Sequence, residues 1–170
     1  MKEFNTDVLI VGSGLVGLVA AHCLSSLNYK VTLVDKKNFT NSHTSYKDTR
    51  TVAVSEGSKI FLERLNLWAF LKNYSEPIKN INVYDRSSRN KIFFNNQIKN
   101  KNLGYVIENI KFSKILINKL KKFKNTKVLH GFNLIDIKLN DRGSRAFSEN
   151  TIINAKIIIA ADGKNSQIKK

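Results

Sequence analysis

The chain has 170 residues, 42% of them hydrophobic, which is enough for one domain with a sizeable core. Its single cysteine excludes a disulfide framework or a thiolate metal site within the chain, and no run of about 18 uninterrupted apolar residues offers a membrane-spanning helix. Lys and Arg outnumber Asp and Glu by 29 to 13, but the excess is mostly lysine scattered among asparagine and isoleucine, a compositional bias that argues against a nucleic-acid-binding patch.

The chain opens with Met1-Lys2-Glu3 and passes directly into an apolar strand at residues 7–11, so no secretory signal is expected and the protein reads as cytoplasmic. That strand breaks into Gly12-Ser13-Gly14-Leu15-Val16-Gly17, and apolar residues at helical spacing follow from 15 to about 27. Each glycine has its own reason in such a turn. Gly12 allows the tight bend, Gly14 lets the backbone approach a pyrophosphate, and Gly17 lets the helix pack close to the strand. Free amides at the helix start would hold the phosphates. A second strand, residues 31–35, ends on Asp35, about 20 residues beyond the glycines. A carboxylate there can accept both hydroxyls of an adenosine ribose and would repel a 2′-phosphate. The unit therefore reads as a dinucleotide site. Cys23, among Ala20, Ala21 and Leu24, is expected to be a buried, inert thiol.

Residues 36–50 are polar and lack a hydrophobic period, as a loop does. A short strand at 51–54 precedes a helix that Ser55 and Glu56 open, running from 57 to about 65, with a second helical piece at 67–71. Pro77, the only proline, is expected to mark a junction. Beyond it, residues 81–85 alternate, 86–89 turn and 91–94 answer, as in a β-hairpin, and 103–107 add a strand. A helix from about 111 to 123 has a solvated basic face ending in Lys119, Lys121, Lys122, Lys124 and Lys127, an arrangement compatible with peripheral contact to anionic lipid or an acidic partner. Strands at 127–130 and 132–139, a turn at 140–143 and a hairpin return near 151–153 follow. The unalternating run at 157–160 suits a central parallel strand covered on both faces. It leads into a second strand-to-helix turn at Asp162-Gly163, after which a doubly wound domain would ordinarily continue.

Other constellations fail on spacing. His22, His43 and His130 are too dispersed for a metal site and suit helix-surface, loop and strand-end positions. Gly163-Lys164 lacks the earlier glycine of a P-loop, and Gly12-Ser13-Gly14 lacks the spacing of a nucleophile elbow.

Three separated motifs converge on one family. The glycine fingerprint, the stretch Asp48-Thr49-Arg50-Thr51-Val52-Ala53-Val54-Ser55-Glu56-Gly57-Ser58 leading to Leu65-Asn66-Leu67-Trp68, and Ala161-Asp162-Gly163-Lys164-Asn165-Ser166 resemble the flavin-dependent aromatic hydroxylases related to para-hydroxybenzoate hydroxylase. Pro77-Ile78 with Tyr84-Asp85-Arg86, and residues 103–109, draw the resemblance closest to the ubiquinone-biosynthesis branch.

The resemblance implies a Rossmann-like α/β fold with a doubly wound, mostly parallel sheet, interrupted by part of a β-rich substrate region. Residues 1–76 would be the first part of the FAD-binding domain, 77–108 partial substrate-domain strands, and 109–170 the continued, truncated FAD-binding domain. Gly12, Gly14 and Gly17 would cradle the FAD pyrophosphate and Asp35 would bind the adenosine ribose, with Ser13, Val16 and Lys36 also among the cofactor-binding residues, Arg50 beside the flavin, and Asp162 and Gly163 in a turn associated with flavin and nicotinamide handling. Asp162 also suits a helix N-cap.

NAD(P)H would reduce the flavin, which would then use dioxygen to hydroxylate an aromatic polyprenyl-phenol, with no side-chain nucleophile. Full members are considerably longer, so the chain reads as an N-terminal portion whose missing half could be a second polypeptide. Two alternatives stand beside this one: a catalytically inactive remnant or interaction subunit of a quinone-biosynthesis assembly, and an NAD-dependent dehydrogenase.

Overall fold

A computed structural model describes residues 1–36, 49–85, 90–95, 101–141, 143–163, 166 and 168. Most of the loop expected at 36–50, His43, the turn at 86–89 and Lys164-Asn165 lie outside them. The chain forms two compact units, Met1–Lys47 with Ser113–Lys170, and Asp48–Phe112.

The first unit is built on β1 (Lys2–Val11), α1 (Leu15–Ser26), β2 (Val31–Asp35) and four later strands. These are β8 (Thr126–His130), β9 (Asp136–Asn140), β10 (Gly143–Phe147) and β11 (Thr151–Ala160). They make one six-stranded sheet in the order β8-β2-β1-β11-β10-β9. The first four run parallel, and β10 and β9 are antiparallel additions. The fold is therefore a mixed α/β one with a mostly parallel central sheet. Leu9, Val11, Val34, Phe132, Leu134 and Ile153 are buried together in its core.

Helix α4 (Asn109–Leu120) carries its second half into this unit, where buried His22 of α1 lies 3.3 Å, Nε2 to oxygen, from the Leu116 carbonyl. His22 thus sits between helices and not on a helix surface, and its ring stacks edge-on against Phe123. Burial pushes its imidazole below the usual histidine value, although the Leu116 carbonyl opposes the shift and Lys119 adds to it. Cys23 is half-buried.

Two expectations fail at the end of the chain. The hairpin return is β10, and Thr151–Ala160 is one continuous strand, because β1 pairs with it from Lys2↔Thr151 to Val11↔Ala160. Ile157 is 58% exposed, so this half of β11 is not covered on both faces among the described residues.

The second unit holds β3 (Thr51–Ser55), α2 (Glu56–Arg64), α3 (Trp68–Leu71), β4 (Ser75–Ile78), β5 (Asn80–Tyr84), β6 (Lys91–Asn95) and β7 (Gly104–Glu108). Ser55 caps α2, its hydroxyl accepting the Ser58 N–H at 3.2 Å. Antiparallel strands β3, β7 and β4 form one sheet, and β5 pairs with β6 as the expected hairpin. Pro77 lies inside β4, opposite Tyr105, and not in a turn between elements. The strand is at the sheet's edge, where a residue without an N–H is tolerated.

Candidate functional site

The C-terminal ends of β1, β2 and β11 meet at one edge of the parallel sheet, and the glycine turn lies there. Gly12 has φ +107°, and a Cβ added to it would overlap the Ala161 carbonyl oxygen. Gly17 approaches the same turn from α1, and its added Cβ would overlap the Gly12 carbonyl oxygen and stand 3.3 Å from Ala161 Cβ. These two glycines are demanded by the fold. Gly14 differs, because its φ of −64° suits any residue and a Cβ there would meet nothing within 4 Å. It borders open space at the start of α1, whose N-cap makes no side-chain hydrogen bond and whose first turn contains no acidic residue. A helix start left in this state favours an anion, through its N–H groups and the positive end of the helix dipole.

Asp35 ends β2 beside that space. Its Oδ2 accepts the Ser13 N–H at 2.7 Å and the Ser13 hydroxyl at 2.5 Å. Ser13 is buried, so its side chain holds the turn against Asp35 and does not reach outward. The Gly12 N–H donates to the Val34 carbonyl at 2.8 Å, and the Ala161 N–H donates to the Val11 carbonyl at 2.7 Å, fixing the turn to both flanking strands. Asp162 and Gly163 follow directly, the latter at φ +81°. Lys36 is exposed just past Asp35, and Val16 is 76% exposed in the first turn of α1.

The structure therefore gathers Gly12, Ser13, Gly14, Val16, Gly17, Asp35, Lys36, Asp162 and Gly163 in the first unit. Arg50 belongs to the second, exposed just before β3, with its carbonyl accepting the Asn109 N–H at 3.0 Å. Two contributors escaped the sequence reading. Ala161 supplies the backbone against which both Gly12 and Gly17 pack, and His130 stands in register with Asp35 on β8. Burial lowers the His130 imidazole, opposed by the Asp35 charge and reinforced by Lys121. Among the described residues no three His, Cys, Asp or Glu side chains gather as metal ligands.

A βαβ unit with a glycine turn open at Gly14 and a carboxylate closing its second strand defines a dinucleotide-binding protein. The chain belongs to the FAD binding domain family, whose profile matches residues 5–170, and FAD is the cofactor of that family. It is 25% identical over 175 residues to the ubiquinone hydroxylase UbiM of Neisseria meningitidis, a match covering 99% of this chain and 38% of the relative. It is 26% identical over 175 residues to 3-demethoxyubiquinol 3-hydroxylase of Escherichia coli, covering 100% of this chain and 44% of that protein. The chain thus spans about two fifths of the length of the relatives it matches.

Among solved structures it resembles pqsL, a probable FAD-dependent monooxygenase from Pseudomonas aeruginosa, with a TM-score of 0.79, 14% identity, and coverage of 98% of this chain and 44% of that one. It also resembles p-nitrophenol 4-monooxygenase PnpA from Pseudomonas putida, with a TM-score of 0.78, 17% identity, and coverage of 99% and 43%. At these identities the structural likeness concerns the fold. It is the Rossmann-like fold of FAD-dependent monooxygenases.

The site fits the cofactor on its own geometry. A pyrophosphate needs a backbone it can approach and amides not already committed to side chains, and Gly14 with the start of α1 offers both.

Proposed function

We propose that the chain is part of a flavin-dependent monooxygenase that hydroxylates an aromatic ubiquinone precursor using NAD(P)H and dioxygen. The observation that carries the reading is the open face of Gly14 set between an uncapped helix start and Asp35. Gly14 and the first turn of α1 hold the pyrophosphate, and Asp35, steadied by Ser13, accepts from the adenosine ribose. Lys36 and Val16 border the same end, Asp162-Gly163 close the turn opposite, and Arg50 offers planar cationic donors to the isoalloxazine. FAD, when bound, supplies the redox and oxygen chemistry. The chain's own residues bind and orient it.

In this reading residues 77–108 belong to the substrate region, residues 1–76 and 109–170 belong to the cofactor domain, and a polyprenyl-phenol is the substrate class. The names of the relatives support the ubiquinone assignment. A further polypeptide segment supplies the rest of the active site, and the protein meets its lipid substrate by peripheral membrane contact. Co-expression of the chain with the remaining portion of a ubiquinone hydroxylase tests this. The purified pair is expected to be yellow and to consume oxygen with NAD(P)H and a short-chain polyprenyl-phenol. A colourless folded pair would overturn the cofactor, and a yellow pair inert toward phenols would overturn the substrate.

A further inference from the structure

The sheet edge opposite the glycine turn, where β2 and β8 begin, carries a second surface. Residues 27–30 lead into Val31, and 121–125 lead into Thr126. Side chain and backbone tie the two loops together. Asn125 Nδ2 donates to the Ser25 carbonyl at 2.9 Å and the Tyr29 carbonyl at 2.8 Å, the Asn125 carbonyl accepts the Val31 N–H at 2.9 Å, and the Ser25 and Thr126 hydroxyls lie 2.6 Å apart.

On this platform Leu27 is 63% and Tyr29 48% exposed, and Lys30, Lys121, Lys122 and Lys124 are exposed beside them. Between Glu108 and Asp136 the sequence has seven lysines and no acidic residue. The acid near this edge, Asp7, is already engaged, by Lys156 Nζ at 2.7 Å and the Lys30 N–H at 2.8 Å.

We infer that this edge docks on the surface of an anionic phospholipid bilayer, with Leu27 and Tyr29 seated at headgroup depth and Lys30, Lys121, Lys122 and Lys124 against the lipid phosphates. The combination selects the partner. Lysines alone would suit any polyanion, but an exposed leucine gains nothing from a nucleic-acid backbone, whereas a bilayer interface accepts an apolar side chain, a tyrosine and basic residues together. A rigid platform adds to this, since no loop has to be ordered on contact. Among the described residues no helix is long and apolar enough to cross a membrane, and peripheral docking requires none. The glycine turn, at the other edge, faces away from the lipid, so docking and cofactor binding do not compete. This inference deepens the lipid-contact part of the proposed function, and its test uses no flavin.

Co-sedimentation with phosphatidylcholine vesicles, with and without phosphatidylglycerol, tests it on the whole chain. The chain is expected to bind the anionic vesicles and to leave the neutral ones. Each lysine near an anionic surface contributes about fivefold in partitioning, so Lys121→Gln/Lys122→Gln/Lys124→Gln should lose about a hundredfold. Removing the same charge from the second unit, with Lys72→Gln/Lys79→Gln/Lys91→Gln, should lose far less. Leu27→Ser/Tyr29→Ser should weaken binding while leaving its salt dependence unchanged. All these side chains are exposed, and circular dichroism checks that the variants fold. Equal losses for the two lysine triples, an unaffected Leu27→Ser/Tyr29→Ser variant, or full displacement by duplex RNA of matched charge would each overturn the inference.

Discussion

Alanine at Gly14 and at Gly17 should separate the cofactor's contribution from the fold's. At Gly17 the new methyl overlaps the Gly12 carbonyl oxygen and lies 3.1 Å from its carbon, both backbone atoms that no rotamer can clear. Relief requires α1 to slide off β1, a forced overpacking that costs about 1–3 kcal/mol, set against about 1 kcal/mol gained from replacing a helical glycine. Gly17→Ala should therefore lose up to about 2 kcal/mol of stability.

At Gly14 the backbone angles are open to alanine and no atom lies within 4 Å, so only the weaker N-cap preference of alanine, up to about 1 kcal/mol, opposes the change. Its methyl, however, fills the space offered to the pyrophosphate. The loss of even one or two hydrogen bonds to a charged group, about 1.5–3 kcal/mol each, lowers FAD affinity at least about tenfold and up to about ten-thousandfold or more. Urea denaturation followed by circular dichroism reads the stabilities, and titration of flavin fluorescence reads the affinities. Were Gly14→Ala to bind FAD as tightly as the parent chain, the open face of Gly14 would not be the phosphate site.

Asp35→Ala should destabilise the first unit by about 1–3 kcal/mol, because it strands the buried Ser13 N–H and hydroxyl, whereas Asp35→Asn keeps an acceptor for them and should fall mainly in FAD affinity; urea midpoints and flavin titrations of the two variants check the contrast. Acidification should destabilise the fold through His22. Its imidazole is held below the ordinary value near ~6.5, so the unfolded chain binds the proton more tightly, and stability declines as pH falls through that ordinary value. His130 shifts in the same direction, so the contribution of His22 is the part of the pH dependence that His22→Gln removes in thermal melts; identical slopes in the two proteins would contradict it. Gly57→Ala, in α2, should raise stability by up to about 1 kcal/mol, since the added Cβ would meet only Ser55 Oγ at 3.9 Å; a lowered melting temperature would count against the packing described.

Where local chemistry settles the backbone, the sequence was readable. The run into Gly12, the helix from Leu15, the β2 stop at Asp35 and the Ser55 cap each have a short-range physical cause, and each forms where its residues say. What escaped depends on partners distant in the chain. Strand β10, Gly-Ser-Arg-Ala-Phe, has no apolar run, and it is a strand because Ser144 and Ala146 pair with Ala155 and Ile153. Its Gly143 sits so close to β11 that a Cβ would stand 2.6 Å from the Ala155 carbonyl oxygen. Pro77 read as a break because nothing in its neighbourhood tells that β4 lies at an edge. At the site, Asp35 was legible as a carboxylate at the right distance from the glycines, but its grip on Ser13 and the adjacency of His130 emerge only once β1, β2 and β8 are aligned.

In the proposed function FAD lies across the C-terminal edge of the parallel strands with its pyrophosphate on Gly14. Titration of FAD into ¹⁵N-labelled chain, followed amide by amide in NMR, addresses it most directly. Saturable shifts are expected, centred on Gly12, Gly14, Leu15 and Val16 and extending to Asp35, Lys36 and Gly163. A folded sample whose amides do not move, or move chiefly around Leu27, Tyr29 and Lys121, would contradict it.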